Sequence, residues 1–187
     1  VILVSSTVAW IGALVVVLGS VVLAVVAIRV RQPAIALIGL IPVVGGIVAL
    51  ALDIQIPPPV PIAWPLVAFG LAALGVIGGN PITVWVLAVA SRGEVEGGKH
   101  GGILVKQKGA RKKHEVLRGG TWIGYLERIA VVAAIATLHV EVIAAVIAIK
   151  GLGRFSELDS AETRERFIIG TLVSMIWAAA CGALIVL

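Results

Sequence analysis

Charge is what this sequence has least of. Asp, Glu, Lys and Arg make up 13% of its 187 residues, about half the share of an ordinary globular domain. That is too few to cover a water-facing surface, so a soluble fold is excluded. Cys181 is the only cysteine, which excludes a disulfide scaffold and an iron–sulfur cluster. No HExxH pattern or axial-ligand pair is present, so no metal and no cofactor is expected. Aromatic residues are 5% of the chain, and none interleaves with its densest basic stretch. With no binding module either, nucleic acid is not an expected partner. What is abundant is apolar: 60% of residues are hydrophobic and the mean hydropathy is +1.13. The implied class is an all-α, polytopic transmembrane bundle.

A crossing takes roughly 20 apolar residues, at about 1.5 Å rise each, against a hydrocarbon core of about 30 Å. Five runs qualify: 1–28, 33–52, 61–90, 129–149 and 167–187. The first is longer than a signal-peptide core and lacks its basic start and small-residue end, so it is expected to be a retained span. The third is too long for one untilted crossing and contains Gly78-Gly79-Asn80-Pro81. Two flexible residues and a proline predict a break or kink there, or else a fold-back of the run as a re-entrant hairpin. Pro42, Gly45 and Gly46 predict a milder irregularity in the second run. The chain divides into a three-span region (1–90), a basic glycine-rich linker (91–121) and a two-span region (122–187).

Lys and Arg set the expected orientation. Arg29 and Arg31 follow the first span, none follows the second, and Asp53 with Pro57-Pro58-Pro59 stands there instead. The linker holds eight, and the last loop holds Lys150, Arg154, Arg164 and Arg166 with four acids. The pattern predicts a plasma or inner (bacterial) membrane protein with its N-terminus outside and its linker and C-terminus cytoplasmic. Lys106, Lys108, Arg111, Lys112 and Lys113 are the expected contacts for anionic lipid headgroups, each worth about 1 kcal/mol near the surface. A short amphipathic helix over 110–117 would lie on that surface. Trp10, Trp64, Trp122 and Trp177 are expected near the interfaces, and Trp85 between helices. Ala178 with Gly182, and Ala9 with Ala13, read as small-residue packing pairs.

The fourth run carries Thr137-Leu138-His139-Val140-Glu141 at its middle. An ionisable residue at that depth is costly and reads as functional. On one straight helix Arg128, His139 and Lys150 would share a stripe about 33 Å long, with Glu127 and Glu141 towards the opposite face. Asn80, Thr83 and Ser174 are the polar candidates to meet Glu141. That carboxyl could serve as a neutral hydrogen-bond donor, a proton relay or a cation ligand.

From Gly120 the chain carries Ile123-Gly124-Tyr125-Leu126-Glu127-Arg128, then Lys150-Gly151-Leu152-Gly153-Arg154-Phe155, then Glu165-Arg166-Phe167-Ile168-Ile169-Gly170-Thr171 with Ser174. Over about 65 residues this resembles the C-terminal segment of an uncharacterised family of bacterial membrane proteins, with actinobacterial and phage-associated members. The family's pattern has a Glu where Glu141 stands and a Gln where this chain has His139, so the resemblance does not support a proton role for the histidine. It implies no activity. Two functions follow from the residues: an oligomeric channel or proton/ion-coupled translocator using buried polar residues of the fourth span, or a non-catalytic accessory subunit packed against partner membrane subunits. A lipid-modifying enzyme would need a nucleophile or metal set at the interface, and none is present.

Overall fold

The computed structural model describes residues 2–90, 96–97, 103–105, 114–116, 120–153 and 161–186. Six α-helices form a bundle: α1 (Ile2–Val30), α2 (Leu40–Ala51), α3 (Ala63–Ala90), α4 (Gly120–Ala136), α5 (Glu141–Gly153) and α6 (Ala161–Val186). A 3-10 segment, Pro33–Gly39, leads into α2. Among the described residues, four stretches are long and apolar enough to cross a membrane: Val4–Val30, Pro33–Ala51, Ala63–Ala90 and Thr163–Val186. The 3-10 segment has a geometric use. At about 2.0 Å rise per residue it extends the second run to about 32 Å, where α-helix alone gives about 28 Å.

The central helix is α3. Along it α1 runs parallel, with Trp10 edge-on to Trp64 (centroids 5.9 Å apart) and Val17 against Gly70. Antiparallel to it, α6 sets Gly170 by Leu87, Trp177 on Gly78 and Cys181 on Gly75. Beside α6, and in the same direction, α4 brings Val132 to Gly75 and Ile135 to Gly182. Gly39 and Gly46 let the second run lie against Trp177 and Leu184. The core gathers Val17, Ala27, Val43, Leu74, Trp177 and Cys181, and a second cluster joins Val131, Val132, Met175 and Ala178. Ala178 and Gly182 are thus a packing pair as expected, whereas Ala13 is exposed.

Helix breaks fall elsewhere than the sequence predicts. The helix α3 runs unbroken through Gly78 to Pro81, and residues 42–46 are helical too. The fourth run is the broken one. Residues 129–149 are not one span but the halves of a helical hairpin, turning at 137–140. The stop is a Schellman closure: Leu138 takes φ 61°, its N–H bonds Ile135 O at 3.0 Å, and His139 N–H bonds Ala134 O at 2.7 Å. The same closure ends α2 at Asp53 (φ 52°), with the Asp53 N–H on Leu50 O and the Ile54 N–H on Ala49 O. Arg31 (φ 57°) ends α1 likewise, the Gln32 N–H reaching Ala27 O. None of the three uses the glycine that normally advertises such an end.

The described linker residues form a small antiparallel ladder of β1 (Glu96–Gly97), β2 (Ile103–Val105) and β3 (His114–Val116), pairing Gly97 with Ile103 and Leu104 with Glu115. The expected surface helix over 110–117 is not found where the chain is described: 114–116 is strand, and the rest lies outside the described residues.

Candidate functional site

Folding the fourth run back on itself relocates its charges. On a straight helix Glu127 and Lys150 would stand about 34 Å apart. In the hairpin they are equally distant from the turn, and Lys150 Nζ donates to Glu127 Oε2. Ile143 and Val146 lie against the second core cluster, on the same helical face as Lys150. The Lys150 ammonium also lies 5.8 Å from the Phe167 ring centroid on α6. Glu127 is 8% exposed, and its second oxygen, Oε1, is buried without a hydrogen-bond partner.

Beside this pair lies Arg128, 4% exposed, level with the middle of α3 and of α6. Its Nε donates to Val76 O at 2.6 Å and its Nη1 to Ser174 Oγ at 3.0 Å. The guanidinium carbon stands 5.1 Å from the Tyr125 ring centroid, a cation–π distance. Among the described residues no carboxylate lies within ion-pair distance of it. Glu127 acts on Arg128 through space and is also paired with Lys150, so the three groups together carry one net positive charge into the bundle. Thr171, one turn before Ser174 on α6, adds a buried hydroxyl oxygen without a partner.

The Gly78-Gly79 pair explains how so much polar mass fits. A Cβ on Gly79 would overlap Arg128 Cδ, and one on Gly78 would stand 3.1 Å from Trp177 Nε1. These glycines let Arg128 and Trp177 approach α3 closely. Trp177 is 5% exposed and donates to Leu74 O at 3.0 Å. It is a core residue, which corrects its expected place at an interface.

The other expected site residues lie apart from this cluster. His139 and Glu141 are exposed at the hairpin turn, a correction to their expected burial at mid-span. Because Ile135 packs on Gly182, the turn reaches the level of the last turn of α6. There His139 Nδ1 lies 2.7 Å from Thr137 O, and Glu141 opens α5, where a carboxylate suits the helix dipole. The stripe of Arg128, His139 and Lys150 does not form. Ser174 meets Arg128 instead of Glu141. Asn80 is half-buried on α3, next to Gly79. Arg154, Lys106, Lys108, Arg111, Lys112 and Lys113 lie outside the described residues.

Sequence reasoning missed Tyr125 and Thr171, each one helical turn from a residue of the cluster. The available signal was polar pairs at three-residue spacing, Tyr125 with Arg128 on α4 and Thr171 with Ser174 within the apolar part of α6. Among the described residues no three His, Cys, Asp or Glu side chains gather as a metal centre requires. Compared with known proteins, the chain matches no family model, no curated protein and no solved structure.

Proposed function

We propose that this is an ion-translocating membrane protein whose working centre is Arg128 with the Glu127–Lys150 pair. One observation carries the reading: an arginine buried at the middle of two membrane-length helices and hydrogen-bonded only to neutral groups. A charge at the bilayer centre costs at least about 3 kcal/mol. Stability alone would be better served by an apolar side chain, and the function-first reading of intramembrane charge applies. It keeps buried polar residues of the fourth run as the centre but moves the role from His139 and Glu141 to Arg128 and Glu127. The residues that converge here, including Lys150, Phe167, Thr171 and Ser174, are the ones that carry the family resemblance.

Orientation follows in the same reading. The end of α3, the start of α4, the end of α5 and the start of α6 share one end of the bundle, as does Arg31. Lys and Arg are confined to segments attached there and to Arg128; the opposite end bears Asp53 and Glu141. The positive-inside rule makes the basic end cytoplasmic, its linker facing anionic headgroups. Four long crossings and a hairpin that enters from the basic end, turns at the opposite end and returns then bring the C-terminal end of α6 outside, in place of the cytoplasmic end expected from five crossings.

The test is ion flux in proteoliposomes. Wild type should conduct above empty vesicles, and a folded R128Q variant should lose most of that flux. Wild-type flux equal to that of empty vesicles sinks the reading.

A second reading, an accessory subunit, draws on α5, which contributes no buried residue and turns Val142, Ile147, Ile149 and Leu152 outward. Extraction in mild detergent should then recover a stoichiometric membrane partner. A monodisperse assembly of this chain alone counts against it.

A further inference from the structure

The donor balance around Arg128 identifies what this centre takes, on the basis of the translocator reading above. We propose that its cargo is a small monovalent anion, held by the Arg128 guanidinium together with the hydroxyl protons of Ser174 and Thr171.

Hydroxyls on buried helices ordinarily donate to the carbonyl one turn back. Ser20 does so to Val16 O, Thr83 to Gly79 O and Thr137 to Ala133 O. Ser174 and Thr171 do not: Ser174 Oγ accepts from Arg128 Nη1, which leaves its own proton undirected, and Thr171 Oγ1 has no partner. Arg128 is a donor only. The cluster therefore holds a surplus of N–H and O–H donors around one unbalanced positive charge. Its missing component is an acceptor with a single negative charge; a divalent anion would reverse the imbalance instead of cancelling it.

Gly124, one turn before Arg128, is half-buried, and a Cβ there would stand 3.2 Å from Nη1 and 3.7 Å from Nη2. Glycine there lets the α4 backbone approach the edge of the guanidinium that faces the basic end of the bundle, without a side chain between that edge and an entering ion. Concentrated positive charge at that end raises the local concentration of anions. Glu127 Oε1 is the orphaned acceptor of the neighbouring pair, and the charge of its carboxylate is already met by Lys150.

The experiment uses the full chain in detergent, titrated with chloride against gluconate at matched ionic strength. Thermal midpoint and tryptophan fluorescence are the readouts, Trp177 lying beside the centre. Chloride should give a saturable shift that gluconate does not. S174A and T171V should each weaken binding about three- to tenfold. G124V, whose side chain would press on the Arg128 guanidinium, should abolish the chloride response while circular dichroism stays that of wild type. Equal responses to the two salts in wild type overturn the inference, as do unchanged affinities in S174A and T171V. Chloride binding without flux in vesicles supports the anion site and refutes translocation. Proton or cation flux with no chloride binding overturns the anion site and leaves translocation standing.

Discussion

Gly79 shows how little room single residues have in this bundle. A methyl group there lands on the Arg128 side chain and has α3 backbone behind it. G79A should therefore lower stability in detergent by about 1–3 kcal/mol, the range for overpacking, read as a fall in thermal midpoint. G12A is the control: nothing lies within 4 Å of a Cβ at that position of α1. It should be neutral or raise stability by about 0.5–1 kcal/mol, since Ala suits a helix interior better than Gly. In the sequence the two glycines are alike, and Gly78-Gly79 next to a proline reads as a breaker. Their use as a seat for Arg128 and Trp177 depends on side chains of α4 and α6, far along the chain, so no local pattern announces it. Arg128 was obscured for the same reason. On a straight fourth helix it sits at the end, where arginines ordinarily snorkel to the interface.

At the scale of elements, the hairpin stands on its turn and on one ion pair. Leu138 holds a left-handed conformation that costs an L-residue roughly 1–2 kcal/mol. L138G should recover about 1 kcal/mol, whereas the β-branched L138V should lose stability; thermal melts of the two order them. The pair behaves differently. Removing Lys150 alone leaves Glu127 buried and unpaired, and K150M should cost about 3–5 kcal/mol. The double variant E127M/K150M should regain most of that, because a well-packed apolar pair replaces a buried ionic one at little net cost. If K150M and the double variant melt together, the pair is not what closes the hairpin. The length of the helices and their apolar character were legible from composition and run length. The turn was not, because residues 129–149 have the length of one span and contain neither Gly nor Pro. Thr137 ahead of His139, with an acid four residues on opening a new helix, is in retrospect a stop followed by a start, written without the usual punctuation.

For the whole molecule, hairpin and span differ in distance and in sidedness. Spin labels at Ile129 and Ile149, both exposed, would be about 30 Å apart on a straight helix. Between packed antiparallel helices the backbones lie about 8–10 Å apart, so the label distance should fall well below the straight-helix value. Sidedness is read with single cysteines in a C181A background. Q55C and H139C should react with a membrane-impermeant reagent from one side, and R31C from the other. An H139C variant that reacts from neither side would return the fourth run to a single crossing, with that position at mid-membrane. The charge asymmetry of the loops was readable in the sequence, but five crossings split the basic loops between two sides, and only the folded-back run reunites them. That reunion bears on how the chain enters a bilayer. In the proposed orientation, apart from whatever flanks the outer ends of α1 and α6, the polar material to be exported is the connector at 52–62 and the cap of the hairpin. Neither contains a lysine or an arginine, so in the proposed orientation insertion carries no cation to the outer side, and Arg128 and Lys150 are the two taken into the bundle.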